Sequence, residues 1–299
     1  VGRDLDPAVA IGHSGASSGG YRVGSLLAGG ADGKPGATTG AQHDGRLSGR
    51  APILQIRGVS CAPEGGAAGA LDLDVRDGEF FCVVGPPGCG KTALVRALAG
   101  LDAPSSGSML LNGRPVAWGV PSLGFTLAES TLFPWLSVRQ NLWLALRVGH
   151  RRGADPWHVD SLLGTFGLLE VAKRRPDQLP APTRRMVELC RAVVRDPLLV
   201  LLDEPFHGLD FKDRYVLADE LERVRGIWRK SFVLFTQNIA LGVRLADRVS
   251  IMSGPPARMS DPVAVPLPRP RRNGTPPEQA DLMRHLLDLY ERGPRDQAA

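Results

Sequence analysis

The sequence predicts an α/β fold built on a parallel sheet, and three groups of residues predict it. Phe80-Phe81-Cys82-Val83-Val84 is a continuous apolar run that enters the glycine-rich loop Gly85-Pro86-Pro87-Gly88-Cys89-Gly90-Lys91-Thr92 and then a helical pattern over 93–99, closed by Gly100. Residues 198–202 form a second apolar run, of the kind buried on both faces of a parallel sheet, and it ends on Asp203-Glu204. Residues 232–236 and 248–252 read as two further strands, and a helix over 211–229, with Leu217, Leu221, Val224 and Trp228 on one face, precedes the first of them.

The loop reads G-x-x-G-x-G-K-T between a strand and a helix, which makes it a P-loop. Its glycines let successive backbone N–H groups curl around a phosphate chain, and the following helix adds the positive end of its dipole. Lys91 is expected to reach the β- and γ-phosphates of a nucleotide, and the Thr92 hydroxyl to take one site on Mg²⁺. Asp203 is expected to hold that Mg²⁺ through water and Glu204 to polarise an attacking water as general base. A chance glycine turn, or two carboxylates that merely end a strand, would account for either half alone. The two halves together favour a nucleotide site.

Around this centre the chain divides by texture. Residues 1–50 are rich in Gly, Ala and Ser without periodicity and are expected to be disordered. No apolar stretch follows the early charges, so no signal peptide is expected; the first residue, Val, suggests trimming or translation from an upstream start. From 51 to 262 a nucleotide-binding domain is expected. Residues 53–59 and 71–75 alternate as half-buried strands, and Met109-Leu110-Leu111 with Asn112-Gly113 predicts a hairpin. A helical subdomain over about 130–196 follows from the capping box Ser137-Val138-Arg139-Gln140, the Asp155-Pro156 helix start, and an amphipathic stretch over 183–194. Residues 263–299 are expected to be an extension ending in an amphipathic helix, capped at Thr275–Glu278, with Leu282, Met283, Leu286 and Leu287 on its apolar face.

Composition sets further bounds. No apolar run approaches the roughly eighteen residues that span a bilayer. The four cysteines lie far apart with no C-x-x-C pair, which argues against a disulfide framework or a zinc site and fits a reduced, cytosolic setting. The net charge of +5 is spread along the chain except at Arg269-Pro270-Arg271-Arg272, so no nucleic-acid partner is expected.

The chain resembles the ATP-binding subunits of ABC transporters from about residue 53 to 291, and most closely those of nitrate, sulfonate and taurine importers. The residues that carry the resemblance are Leu202-Asp203-Glu204-Pro205-Phe206 with Gly208-Leu209-Asp210 (Walker B and D-loop), Leu132-Phe133-Pro134-Trp135-Leu136-Ser137-Val138, Leu245-Ala246-Asp247-Arg248-Val249 and Leu267-Pro268-Arg269-Pro270-Arg271. The resemblance implies a P-loop NTPase fold with an antiparallel β-portion and a helical subdomain. It implies ATP and Mg²⁺ as cofactors and a head-to-tail pair of ATP-binding subunits, homo- or heterodimeric. It also implies a transmembrane permease, contacted around Phe133, Pro134 and Trp135, and, through the permease, a periplasmic or lipid-anchored solute-binding protein. The expected location is the cytoplasmic face of the cell membrane, as a peripheral subunit.

Against the family pattern, four positions depart. Leu179-Pro180-Ala181-Pro182-Thr183 stands where the family has Leu-Ser-Gly-Gly-Gln, so a hydroxyl and two N–H donors are lost. Ala128 stands where a Gln touches Mg²⁺, with Glu129 adjacent. Gln237 replaces the switch His; it can donate a neutral hydrogen bond to a γ-phosphate but carries no charge. Cys61-Ala62-Pro63-Glu64-Gly65-Gly66 offers no ring to stack on adenine. Two functions therefore remain open: an energy-coupling ATPase of an importer for a small oxyanion or sulfonate, and a nucleotide-binding but hydrolytically impaired subunit with a structural or regulatory role in an asymmetric complex. An ABC-type protein serving DNA or translation is not supported, because no coiled-coil insertion, second cassette or basic stripe is present.

Overall fold

A computed structural model describes residues 51–61, 69–116, 122–148, 156–228, 230–271 and 277–293. The expected disorder of 1–50, the ring-free stretch 62–66, Asp155, Arg229 and the cap at Thr275 lie outside them. In chain order the elements are β1 (Pro52–Ser60), β2 (Leu71–Arg76), β3 (Phe80–Val84), α1 (Lys91–Leu98), β4 (Ser106–Leu111), β5 (Arg114–Pro115) and β6 (Leu123–Thr126). Three helices follow, α2 (Val138–Arg147), α3 (Pro156–Thr165) and α4 (Ala181–Val193). The chain continues through β7 (Leu199–Asp203), α5 (Phe211–Trp228), β8 (Ser231–Thr236), α6 (Ile239–Leu245), β9 (Arg248–Ser253), β10 (Arg258–Met259), β11 (Val263–Ala264) and α7 (Pro277–Arg292).

The main sheet has the order β10-β9-β3-β8-β7-β6, with β11 also on β9. Its centre is parallel: β3 pairs with β8 and β9, and β7 with β6 and β8. Every side chain of β3, β7 and β8 is buried, which is why these strands read as unbroken apolar runs. Alternate residues serve two cores. Phe80, Cys82, Val200, Leu202, Phe232 and Leu234 face the core shared with helices α2 to α7. Phe81, Val83, Leu199, Leu201, Val233 and Phe235 face α1 and a second, antiparallel sheet of order β2-β1-β4-β5. Each large side chain buried this way stabilises the fold by about 1.5–3 kcal/mol. The hairpin turn between β4 and β5 has Asn112 at φ 49° and Gly113 at φ 71°, the left-handed pair that a two-residue turn requires.

β6 and α6, like the two-residue strands β10 and β11, had no clear sequence signal. β6 is an edge strand of four residues containing Gly124, where a Cβ would come within 2.2 Å of the Ala192 carbonyl on α4. α6 is a seven-residue helix capped by the Asn238 side chain, which accepts from Leu241 N. α4 begins at Ala181, two residues before the expected amphipathic stretch.

Beyond residue 262 the sheet continues into β11, and α7 packs on α6 and β9. Leu286 is fully buried, and Leu282, Met283, Leu289 and Tyr290 pack against the core. Leu287 does not belong to that face and is 44% exposed. It follows Leu286 by one residue, about 100° around the helix, whereas positions 282, 286, 289 and 290 keep the helical spacing. Of the basic run, Arg269 and Arg271 are structural, and Arg272 lies outside the described residues. Arg269 pairs with Asp247 and Glu222. Arg271, 7% exposed, donates to the carbonyls of Val243, Ala246, Val265 and Leu267, locking the C-terminal segment onto α6.

Candidate functional site

Parallel pairing of β3, β7 and β8 brings Gly85, Asp203, Glu204 and Gln237 to the same sheet edge. Val84 lies beside Thr236, and Gly85 N donates to Thr236 O at 3.0 Å. Asp203 lies beside Phe235, whose carbonyl accepts from Glu204 N at 2.9 Å. Residues from three separate parts of the sequence thus meet at the carboxyl ends of adjacent strands, where ligands of α/β sheets bind.

The loop itself is shaped by its glycines. A Cβ at Gly85 would stand 2.4 Å from the Met252 carbonyl of β9, and Gly90, at φ 105°, caps α1 in a conformation that favours glycine. Cys89 is buried beneath the loop, and burial pushes its thiol pKa up. Pro86 is half-buried while Pro87, Gly88 and Thr92 are exposed, so the outer rim of the loop faces solvent. Lys91 is 5% exposed; its Nζ donates to Gly85 O at 2.7 Å and Pro86 O at 2.9 Å and lies 3.7 Å from Glu204 Oε1. The ammonium is held against carbonyl oxygens at the mouth of the loop, where an anion would offer it a stronger partner.

Asp203 is fully buried, and neither carboxylate oxygen has a hydrogen-bond partner. Burial raises its pKa; the neighbouring Thr92 hydroxyl pulls it down, Glu204 pushes it up, and Lys91 lowers it again. An unpartnered buried carboxylate is costly, and a hard cation with its water shell would relieve it. The residues present therefore fit Mg²⁺, with Thr92 and Asp203 as its protein-side donors. Glu204 has φ 43°, a left-handed conformation that a residue with a Cβ adopts at a cost. That turn directs its carboxylate back towards Lys91, and Oε1 has no hydrogen-bond partner. Gln237 follows β8 and is exposed.

Leu179–Thr183 lies elsewhere. It forms the start of α4, which packs on β6, α2 and α5. Pro180 occupies the N-cap with no side-chain hydrogen bond, and Pro182 sits in the first helical turn. Neither proline offers an N–H at this helix start, a place where proline fits well. Ala128 and Glu129 leave β6 beside the site, and Glu129 is exposed. Phe133 and Trp135 stand out from the surface at 37% and 65% exposure, with ring centroids 5.5 Å apart. Their loop is held by the buried Asn141, which accepts from Phe133 N at 2.8 Å and donates to the carbonyls of Phe133, Leu136 and Ser137. The capping box at Ser137 and Gln140 closes both of its hydrogen bonds. Sequence reasoning did not single out Arg185, whose guanidinium reaches the loops after both β6 and β7. The available signal was Glu188, an acidic residue within the buried run Met186, Val187, Leu189 and Cys190 of α4.

Comparison with known proteins places these features. The family model described as ABC transporter matches residues 69–207. The aliphatic sulfonates import ATP-binding protein SsuB of Bacillus licheniformis is 37% identical over 224 residues, covering 74% of this chain and 86% of that protein. The nitrate import ATP-binding protein NrtD of Synechococcus elongatus is 34% identical over 234 residues, covering 76% and 85%. Among solved structures, cbiO1 of Clostridium perfringens, part of the complex cbiONQ, shares the fold with a TM-score of 0.63 at 21% identity, covering 72% of this chain and 89% of that one.

Proposed function

The chain belongs to the ABC transporter family as an ATP-binding subunit, and we propose that it serves an importer of a small oxyanion or sulfonate from the cytoplasmic face of the membrane. The solute class rests on the relatives named for sulfonate and nitrate import. The observation that carries the nucleotide reading is the pairing of an intact P-loop, Gly85 to Thr92, with an unpartnered Asp203 at the same sheet edge. In this reading the backbone of Gly85, Pro86, Pro87, Gly88, Cys89 and Gly90 cradles phosphate, and Lys91 leaves its two carbonyl partners for the β- and γ-phosphates. Thr92 and Asp203 hold Mg²⁺, which when bound neutralises phosphate charge. Glu204 accepts a proton from the water that attacks the γ-phosphorus, and Gln237 donates a hydrogen bond to the γ-phosphate.

The partners follow from the same reading. Phe133, Pro134 and Trp135 form the permease contact, since two adjacent exposed rings on a pinned loop make a preorganised apolar surface. A second ATP-binding subunit completes the site, and a solute-binding protein delivers the cargo to the permease. No nucleic-acid role is proposed, because Arg269 and Arg271 are engaged inside the fold.

One observation favours a second reading, a subunit that binds nucleotide but hydrolyses it poorly. The α4 N-terminus presents Pro180 and Pro182 where a partner's γ-phosphate would need donors, and Ala128 and Gln237 weaken the site further. Both readings require MgATP at the P-loop. Calorimetric titration tests this: Lys91→Ala is expected to abolish MgATP binding, because Lys91 supplies the main positive charge. Unchanged affinity in that variant would refute the assignment.

A further inference from the structure

The stretch that leaves β6 runs from the carboxylate end of the sheet to the exposed rings of Phe133 and Trp135, and its start is held by one side chain. Thr126 pairs with Leu202, so Leu127 and Ala128 leave the sheet level with Asp203. Arg185 of α4 donates from Nη2 to Ala128 O at 2.7 Å and to His207 O at 3.3 Å, and from Nη1 to Leu127 O at 3.5 Å and Glu188 Oε2 at 2.9 Å. His207 belongs to the turn after Glu204, and its N–H donates to Glu204 O at 2.9 Å. One planar guanidinium therefore ties the turn behind Glu204 to the segment that carries the aromatic surface.

The rest of that segment is also fixed. Arg191, further along α4, donates to Thr131 O at 2.5 Å and bonds the Thr131 hydroxyl, and Asn141 holds residues 133–137. The segment is thus tethered at Ala128, at Thr131 and over 133–137, and is not a slack loop. Glu188 is 3% exposed and its Oε1 has no partner, so it does not complete a polar network. Buried pairs of this kind are seldom kept for stability, since an apolar pair of similar volume does as well. What this pair supplies is geometry: a fork that reaches two loops at once, which a lysine ammonium cannot do.

We propose that Arg185, held by Glu188, is the positioning residue through which the state of the Asp203-Glu204 strand end reaches the Phe133–Trp135 surface. Ala128 has no side chain able to make that link, so the connection runs through its carbonyl. The proposal rests on the P-loop being a MgATP site. Energetic coupling between distant groups can be carried by hydrogen-bond networks that join rigid elements, and these hydrogen bonds form one.

The test is hydrogen exchange of the amides in residues 127–137 of the full chain, with and without MgATP at a concentration that calorimetry shows to be saturating. In the unmodified protein, MgATP is expected to slow exchange in this segment by about fivefold or more. Arg185→Lys keeps the buried charge paired and the fold intact; the double variant Arg185→Met with Glu188→Leu removes the pair without leaving a lone charge. Both are expected to bind MgATP with near-unchanged affinity and to lose the segment's response. A response retained in both variants, or no response in an unmodified protein that binds MgATP, overturns the proposal. If the unmodified protein binds no MgATP, the reading of the site fails first and this inference with it.

Discussion

Repair of the α4 N-terminus is the sharpest test of whether this subunit is built to turn over ATP. The perturbation is Pro180→Ser, Ala181→Gly, Pro182→Gly and Thr183→Gln together. Pro180 at the N-cap and Pro182 in the first turn lack N–H groups, and no side chain caps the helix. The repair adds two backbone donors, moves the one hydroxyl of the stretch from position 183 to position 180, and removes the Ala181 methyl from the approach. If only one added donor meets the transferring phosphoryl group, turnover rises ~100-fold, about 2.7 kcal/mol of barrier. The expected effect on stability is small. A Ser N-cap contributes about 1 kcal/mol, which offsets most of the loss of about 1–2 kcal/mol from two glycines replacing residues that restrict the unfolded chain. Phosphate release in saturating MgATP should therefore rise steeply while the melting temperature moves little. Gln237→His alone should do less, since Gln237 already offers one donor, and Glu204→Gln in the repaired protein should remove the gain. An unmodified protein already turning over near ~10 per second, with Glu204→Gln abolishing that rate, would refute the impaired reading. So would a repaired loop that leaves the rate unchanged.

Two further outcomes follow from buried carboxylates. Asp203→Asn is expected to raise thermal stability by about 1 kcal/mol, because it removes a buried charge with no hydrogen-bond partner, and to abolish the Mg²⁺ dependence of ATP affinity; a lower melting temperature would contradict it. Asp247 is the opposite case: burial works against its charge, but Arg225 and Arg269, at 2.5 and 3.0 Å, with the Phe80 N–H at 2.9 Å, hold its pKa below the usual carboxylate range. Its folded pKa lies below the unfolded value of about 3.9, so its stabilisation is present above that pH and is lost as pH falls through the folded value. Asp247→Asn should cost about 3 kcal/mol near neutrality and flatten the acid limb of a melting-temperature profile. An acid limb unchanged in the variant would count against this.

Much of this protein was legible from local pattern alone. The P-loop needs adjacent residues only, and the strand before it and the helix after it are fixed by apolar runs and by Gly90 and Gly100. β3, β7 and β8 could be read because a central parallel strand must be apolar on both faces, and Ser137 to Gln140 because a capping box closes within one turn. The tertiary structure decided what depends on partners distant in sequence. It chose Leu289 and Tyr290 over Leu287 for the buried face of α7, and it turned a basic run at Arg269 and Arg271 into an internal staple. It made a strand of 123–126 by supplying β7 alongside, and it placed Arg185 between two loops 57 and 22 residues away. Periodicity records which face of an element is apolar, whereas a guanidinium's acceptors are carbonyl groups common to every residue. Only the folded backbone determines which of them come within reach.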